Sequence, residues 1–237
     1  AGFTQFNPIQ GDSKSKVFID LTNIEDDRVK VEYVVPILME DEVIYNMPRM
    51  VPGTYKVYDF GRFVNDFVAI GGRGDTLGVE KLNTNQWLIK DAKKLYKIVY
   101  WADDTYDGDG TDIFAPAGTG FSEDVFMLNT FSFVGYLKGH KDLGYEYEVK
   151  RPEGLYGTTS LDRLSNDGNT DVFADGTATL DFNSARLVFD GTTAASCTIY
   201  SLAFSTTCYD NGTPTINDDY YQISLIVNGV QLGSGFS

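Results

Sequence analysis

One histidine stands in the whole chain, His140, in the context Gly139-His140-Lys141-Asp142. A catalytic zinc site takes three protein ligands, and two histidines one helical turn apart are the usual way to turn a pair of them toward the metal. The sequence has no His-Glu-x-x-His and no second imidazole, so it lacks that ligand set. Ser, Cys and Lys nucleophiles likewise have no base tied to them. No catalytic residue is assigned, and His140 reads as a solvated surface residue.

Oxygen donors are the remaining ligand chemistry. Asp103, Asp104, Asp107, Asp109 and Asp112 fall close together with Gly108 and Gly110 between them. Carboxylates at alternate positions of such a turn could surround a hard cation; the expectation is a solvated acidic turn and no cofactor, with calcium at these residues as the alternative. Asp167, Asn169, Asp171 and Asp175 form a weaker second set. Neither matches the EF-hand loop, which wants Gly at its sixth position and Glu at its twelfth.

Cys197 and Cys208 are the two cysteines. The chain begins Ala1-Gly2 without methionine, as after signal-peptide removal, and an even count in an exported chain reads as a disulfide, with two buried thiols as the alternative. So short a loop would contribute about 2–3 kcal/mol if the bond acts by restricting the unfolded chain. Arg73-Gly74-Asp75 is an integrin-type tripeptide that a Gly-rich turn explains as well, and Asn211-Gly212-Thr213 is first a turn former.

The elements that must carry these residues are strands. Val29, Val31, Tyr33 and Val35 alternate with Lys30, Glu32 and Val34, and Tyr145, Tyr147 and Val149 with Glu146, Glu148 and Lys150, the period of a half-buried antiparallel strand. The same pattern covers 16–21, 86–89, 95–101, 185–189, 198–204 and 220–227, with turn clusters at 70–75, 107–110 and 210–214. Only 91–95 offers a helical turn. Fourteen per cent aromatic residues and 24 glycines fit strands and tight turns. The expectation is an all-β chain of antiparallel sandwiches, two in number, the second immunoglobulin-like and incomplete.

A net charge of −15 excludes binding to phosphate backbones, because little here could displace counterions. No apolar stretch approaches the ~18 residues of a membrane span. The expected location is secreted or cell-surface.

Residues 47–69, MPRMVPGTYKVYDFGRFVNDFVA, carry a more specific signal. Met47-Pro48, Pro52-Gly53-Thr54-Tyr55 and Asp59-Phe60-Gly61-Arg62 are followed in order by Asn85-Gln86-Trp87, Tyr100-Trp101-Ala102-Asp103-Asp104-Thr105, Ala115-Pro116-Ala117-Gly118-Thr119, Met127-Leu128-Asn129-Thr130 and Gly157-Thr158-Thr159-Ser160-Leu161. This series resembles the amino-terminal β-domain of the glycyl aminopeptidases, zinc peptidases whose β-domain precedes a helical catalytic domain and a PDZ domain. The resemblance spans about residues 16–175. It stops where the family would enter its catalytic domain and this chain turns to Gly176-Thr177-Ala178-Thr179-Leu180.

From Cys208-Tyr209-Asp210-Asn211-Gly212-Thr213-Pro214 through Gly233-Ser234-Gly235-Phe236 the text is similar to repeats of secreted bacterial surface proteins and adhesins. Such a repeat would normally continue with further strands. The expected organisation is therefore a leader at 1–15, a peptidase-type β-domain at 16–175 and an immunoglobulin-like segment at 176–237. An open sheet edge invites strand addition, and Phe3, Phe6 and Ile9 of the apolar leader are the candidate assembly residues, with another copy or another extracellular protein as partner. The function expected is a non-catalytic structural or adhesive surface protein. A non-catalytic portion of an active zinc aminopeptidase and a carbohydrate-binding module are the alternatives.

Overall fold

The computed structural model describes residues 14–51, 54, 56–106, 113–114, 117–122, 125–141, 143–159 and 161–174, together with the backbones of strands at 186–190, 202–209, 220–227 and 230–236. The chain divides into two units at 192/193. It is mostly β, in several sheets, as the alternating patterns require.

In the first unit a seven-stranded sheet runs in the order β13 (Asp162–Asp167), β14 (Thr170–Ala174), β11 (Gly144–Lys150), β1 (Lys14–Glu25), β2 (Arg28–Val34), β7 (Leu95–Asp103) and β4 (Val64–Gly71). Val17, Ile19 and Leu21 of β1, Val29, Val31 and Tyr33 of β2, and Ile98, Tyr100 and Ala102 of β7 alternate into the core. The polar positions between them pair across strands on the other face. Lys97 Nζ lies 2.7 Å from Glu32 Oε2 and Lys16 Nζ 3.4 Å from Glu146 Oε1. One pairing departs from expectation: β11 is antiparallel to β14 but parallel to β1, with Val17 opposite Tyr147. Alternation reports which face of a strand is buried and carries no information about the direction of its neighbour.

A four-stranded sheet, β10 (Tyr136–Leu137), β3 (Glu42–Asn46), β6 (Gln86–Lys90) and β5 (Val79–Asn83), supplies the opposing layer. The contact is aromatic. Tyr45 of β3 meets Tyr33 edge-on at 5.5 Å, and Phe67 of β4 stacks on Trp87 of β6 at 4.9 Å and on Tyr100 at 6.0 Å. Such pairs contribute about 0.5–1.5 kcal/mol each beyond the area they bury.

A third sheet joins β12 (Tyr156–Thr159), β15 (Arg186–Asp190), β9 (Phe126–Asn129) and β8 (Gly120–Phe121). Strand pairing therefore carries the first unit beyond the change of text after Asp175, because β15 bonds to β9 and β12. The second unit holds β16 (Leu202–Tyr209), β17 (Tyr220–Val227) and β18 (Val230–Phe236) as an antiparallel sheet with β17 central. Of the strand expected at 198–204, β16 covers its last three residues and runs on to Tyr209, while 198–201 lie outside the described residues.

Three short helical turns complete the first unit. The one expected at 91–95 is a 3-10 turn, Ala92–Lys94; a second spans Phe60–Phe63, and α1 covers Thr130–Phe133. Asn129 caps α1 by accepting the Phe131 N–H at 3.1 Å.

Beneath α1 two buried phenols make a one-way hydrogen-bond chain. Tyr100 donates to the Phe133 carbonyl at 2.7 Å, and the Gly135 N–H donates to the Tyr45 oxygen at 2.8 Å. Tyr100 has one hydroxyl hydrogen and has spent it, so across the 2.9 Å Tyr45–Tyr100 contact Tyr45 is the donor. Burial raises the pKa of both phenols well above the ordinary value, keeping them neutral donors. Gly135 fits for a second reason: a Cβ there would stand 2.4 Å from the Asn46 carbonyl and 2.7 Å from the Tyr45 ring.

Tyr100→Phe keeps the ring packing but strands the Phe133 carbonyl. A loss of about 1–3 kcal/mol is expected by denaturant titration. Tyr96→Phe, a change outside this chain of bonds, should cost well under half as much; equal losses would refute the relay's role.

Candidate functional site

The signature segment 47–62 closes on itself. Strand β3 delivers Asn46 and Met47 to the sheet end, where the Met47 N–H donates to the Asn85 carbonyl at 2.8 Å. The chain returns beside itself, with the Tyr58 and Asp59 N–H groups both donating to the Arg49 carbonyl at 2.7 and 3.0 Å and Phe60 N–H to the Pro48 carbonyl at 3.3 Å. Asp59 takes a left-handed conformation, φ 53°, a region that Asp and Asn tolerate better than other side chains.

Side chains then cross-link the returning strand. Arg49 Nε donates to Asp59 Oδ1 at 2.8 Å, Asn85 Nδ2 donates to the same oxygen at 2.7 Å, and Asn85 Oδ1 accepts the Gly61 N–H at 2.9 Å. A second short chain runs from Asn83 Nδ2 to Gln86 Oε1 and from Gln86 Nε2 to Asn46 Oδ1, each at 2.7 Å. Gly61 allows this closeness, since a Cβ would meet the Thr84 carbonyl at 2.1 Å and Asn85 Cα at 2.7 Å. Asp59-Phe60-Gly61 and Asn85-Gln86-Trp87, distant in sequence, are thus two halves of one lock, and Phe60 and Trp87 are its buried anchors.

The hydrogen bond from Arg49, then that from Asn85, holds the Asp59 carboxyl below its ordinary value, while the Arg49 guanidinium is held correspondingly more basic. Around the lock lies an open groove of about 560 Å³, lined by Asn46, Arg49, Asp59, Asn85, Gln86 and Tyr136 among others. Its walls offer amides and charges already engaged with one another. Among the described residues its lining holds no Ser, Cys, Lys or His.

A second brace uses the next motifs. Asp104, which is buried, accepts the Tyr106 N–H at 2.7 Å and the Phe121 N–H at 2.6 Å. Thr105 Oγ1 donates to the Thr119 carbonyl and accepts the Thr119 N–H, both at 2.9 Å, and Asn129 N–H donates to Thr119 Oγ1 at 3.0 Å. Asp103 instead accepts from Asn65 Nδ2 at 2.7 Å at the end of β7, and partial burial raises its pKa. Asp103 and Asp104 therefore serve different partners. Asp107, Asp109 and Asp112 lie outside the described residues, as do Cys197, Phe3, Phe6, Ile9 and the Asn211-Gly212-Thr213 turn. Cys208 sits in β16 with its backbone opposite Tyr221.

Of the weaker acidic set, Asp171 is committed to arginine, and Asp175 lies outside the described residues. Asp171, fully buried, accepts from Arg151 Nε at 2.7 Å, and Arg151 Nη2 also donates to the Gly168 carbonyl at 3.0 Å. Arg163 Nη1 lies 3.4 Å from the second carboxylate oxygen. A guanidinium thus fills the place proposed for a cation and ties the β13–β14 hairpin to β11. Among the described residues no group of three or more His, Cys, Asp or Glu side chains is placed to hold a metal ion. His140, expected to be solvated, pairs across the fold with Glu40 at 2.8 Å. Arg73-Gly74-Asp75 forms an exposed turn after β4, with Gly74 at φ 83°.

Sequence reasoning passed over Arg49, Tyr136 and Lys141, which line the surface beside the lock. Of the three, Arg49 lies within the signature segment, between Met47-Pro48 and the Pro-Gly turn.

The fold is a β-sandwich in which the ordered motifs act as braces. Residues 16–178 match the Peptidase M61 N-terminal domain, and the chain belongs to that family. Among solved structures, an aminopeptidase N family protein from Idiomarina loihiensis superposes with a TM-score of 0.63 at 16% identity, over 90% of this chain and 32% of that one. At that identity the likeness is one of fold, and this chain spans about a third of that protein's length. No curated protein sequence matches the chain. No helix among the described residues is long and apolar enough to cross a membrane.

Two outcomes are expected at the lock. Gly61→Ala should destabilise the chain strongly, because backbone atoms of Thr84 and Asn85 must move to admit the methyl; an unchanged melting temperature would show that the approach is looser than described. Because the folded-state pKa of Asp59 is depressed, its contribution is present above the ordinary carboxyl value of 3.8 and is lost as pH falls through the folded pKa. Asp59→Asn should therefore flatten the acid limb of the stability curve and leave the slope near neutral pH unchanged.

Proposed function

We propose that this chain is the non-catalytic β-domain of a peptidase-type protein, a scaffold that serves a catalytic segment rather than performing catalysis itself. The observation that carries this reading is the fate of the family signature. Its polar residues Asp59, Asn85, Asp104 and Thr119 are engaged in hydrogen bonds to other side chains and to backbone N–H groups of the domain itself. A reacting group must instead keep an atom available to substrate or metal. The single histidine of the sequence supports the same reading, since a zinc peptidase site would have to draw its imidazoles from elsewhere.

Purified alone, the chain should release no amino-terminal glycine or alanine from model peptides, with or without added zinc. The parent gene should encode a His-Glu-x-x-His segment downstream. Chelator-sensitive aminopeptidase activity from this chain by itself would overturn the proposal.

A second reading is favoured by the second unit: an exported surface or adhesive protein assembled by strand addition. In its three-stranded sheet β16 and β18 each pair on one side only among the described strands. The likeness of 208–236 to surface-protein repeats, the Cys197–Cys208 disulfide and a secreted location belong to this reading. It requires that deleting residues 1–9 abolish higher assemblies while leaving a folded monomer; a strictly monomeric full chain at high concentration would sink it.

A further inference from the structure

Donor groups of Arg49, Tyr136 and Lys141 line one stretch of surface beside the lock. Beside the larger groove lies a second of about 300 Å³, lined by Pro48, Met50, Phe131, Val134, Tyr145 and Lys141 among others, and the two grooves share Arg49 and Tyr136. The smaller one has no carboxylate in its lining, in a chain with 34 acidic and 19 basic residues. Arg49 spends only Nε on Asp59, and neither terminal nitrogen has a partner among the described residues. Lys141 lies over the Tyr136 ring at 4.7 Å with no acidic partner among the described residues. The Tyr136 hydroxyl bonds to nothing among them, although its backbone is fixed opposite Asn46.

We propose that this groove binds a carboxylate carried on an apolar or aromatic body, with Arg49, Lys141 and the Tyr136 hydroxyl holding the carboxylate and Phe131, Met50 and Tyr145 receiving the body. A guanidinium with two free terminal nitrogens suits a carboxylate's paired oxygens, and the ammonium adds a second charge-assisted bond. The apolar lining with few convergent polar groups is the composition of a small-ligand site, and 300 Å³ is at the low end of their range. The site is tied to the fold at two points. Gly135, beside Tyr136, is held by the tyrosine relay, and Arg49 by Asp59. This inference does not depend on whether a catalytic segment adjoins the domain.

The carboxylate could be that of a small acid or the end of a peptide chain, and the test separates them. The full chain is titrated, with NMR shift changes as readout, with N-acetylphenylalanine, with a triglycyl-phenylalanine peptide bearing a free carboxyl terminus, and with the amide of each. Both acids should shift the amides of Tyr136 and Lys141, and each amide should bind about tenfold more weakly, one charged hydrogen bond's worth. A tighter peptide marks a chain terminus as the ligand, and equal affinities mark a free acid as sufficient. Lys141→Gln and Tyr136→Phe should each weaken the acids several-fold with an unchanged far-UV spectrum. Lys141 is exposed, so its variant keeps the test decisive if Tyr136→Phe fails to fold. Equal binding of acid and amide, acid binding undiminished in Lys141→Gln, or no shift at all would each overturn the site.

Discussion

The structure turns on the contact between the Tyr45 and Tyr100 hydroxyls, because it is the point where two sheets and a connecting segment are joined by directional bonds. Aromatic stacking between the layers is tolerant of small shifts; a chain running Gly135 N–H to Tyr45, Tyr45 to Tyr100 and Tyr100 to the Phe133 carbonyl is not. Each member has one hydrogen to give, so the order of donors is forced. Buried polar groups left unmade cost more than made ones return, which gives the arrangement its all-or-none character. The register of β3 against β10 follows from it, since Gly135 is pressed against the Asn46 carbonyl immediately before Tyr136 pairs with Asn46.

From that anchor the signature segment inherits its position. Tyr45 leads to Asn46 and Met47, and these deliver Arg49 to Asp59 and the Met47 N–H to Asn85. The lock's groups are small amides and one carboxylate. They satisfy backbone donors that tight turns leave over, as turn-forming side chains commonly do. A motif set by such needs is as specific as one set by chemistry, because a methyl at Gly61 meets backbone atoms and a lost oxygen at Asp59 leaves the Arg49 and Asn85 side chains without their acceptor. Specific spacing therefore marks constraint, and only the local geometry tells which kind.

That distinction explains what the sequence could disclose. Strands β1, β2, β6, β7 and β11 were legible because one face of each is buried and the side-chain period of two shows it directly. Strand β13 was not, since all six of its residues are exposed and no alternation exists to detect. The short strands β8 and β10 hold two residues each, too few for a period. Arg151 with Asp171 escaped notice because twenty residues and a hairpin separate the partners, and an acidic cluster gives no sign of whether a metal or an arginine will satisfy it. Likewise Glu40 and His140 lie a hundred residues apart, so nothing local betrayed their pairing.

The same accounting of donors separates the two kinds of surface on the domain. Where the signature residues meet, almost every polar atom has a partner supplied by the chain, and a ligand would have to break an existing bond to make its own. Beside it, Arg49 and Tyr136 keep donors that the fold does not use, and Lys141 adds a charge above an aromatic ring. Asp59 answers the charge of Arg49, while Lys141 has no acidic partner among the described residues, so an entering anion would relieve the repulsion between the two cations. Scaffold and site thus share residues while dividing their atoms, Nε of Arg49 serving the lock and its terminal nitrogens facing outward demand.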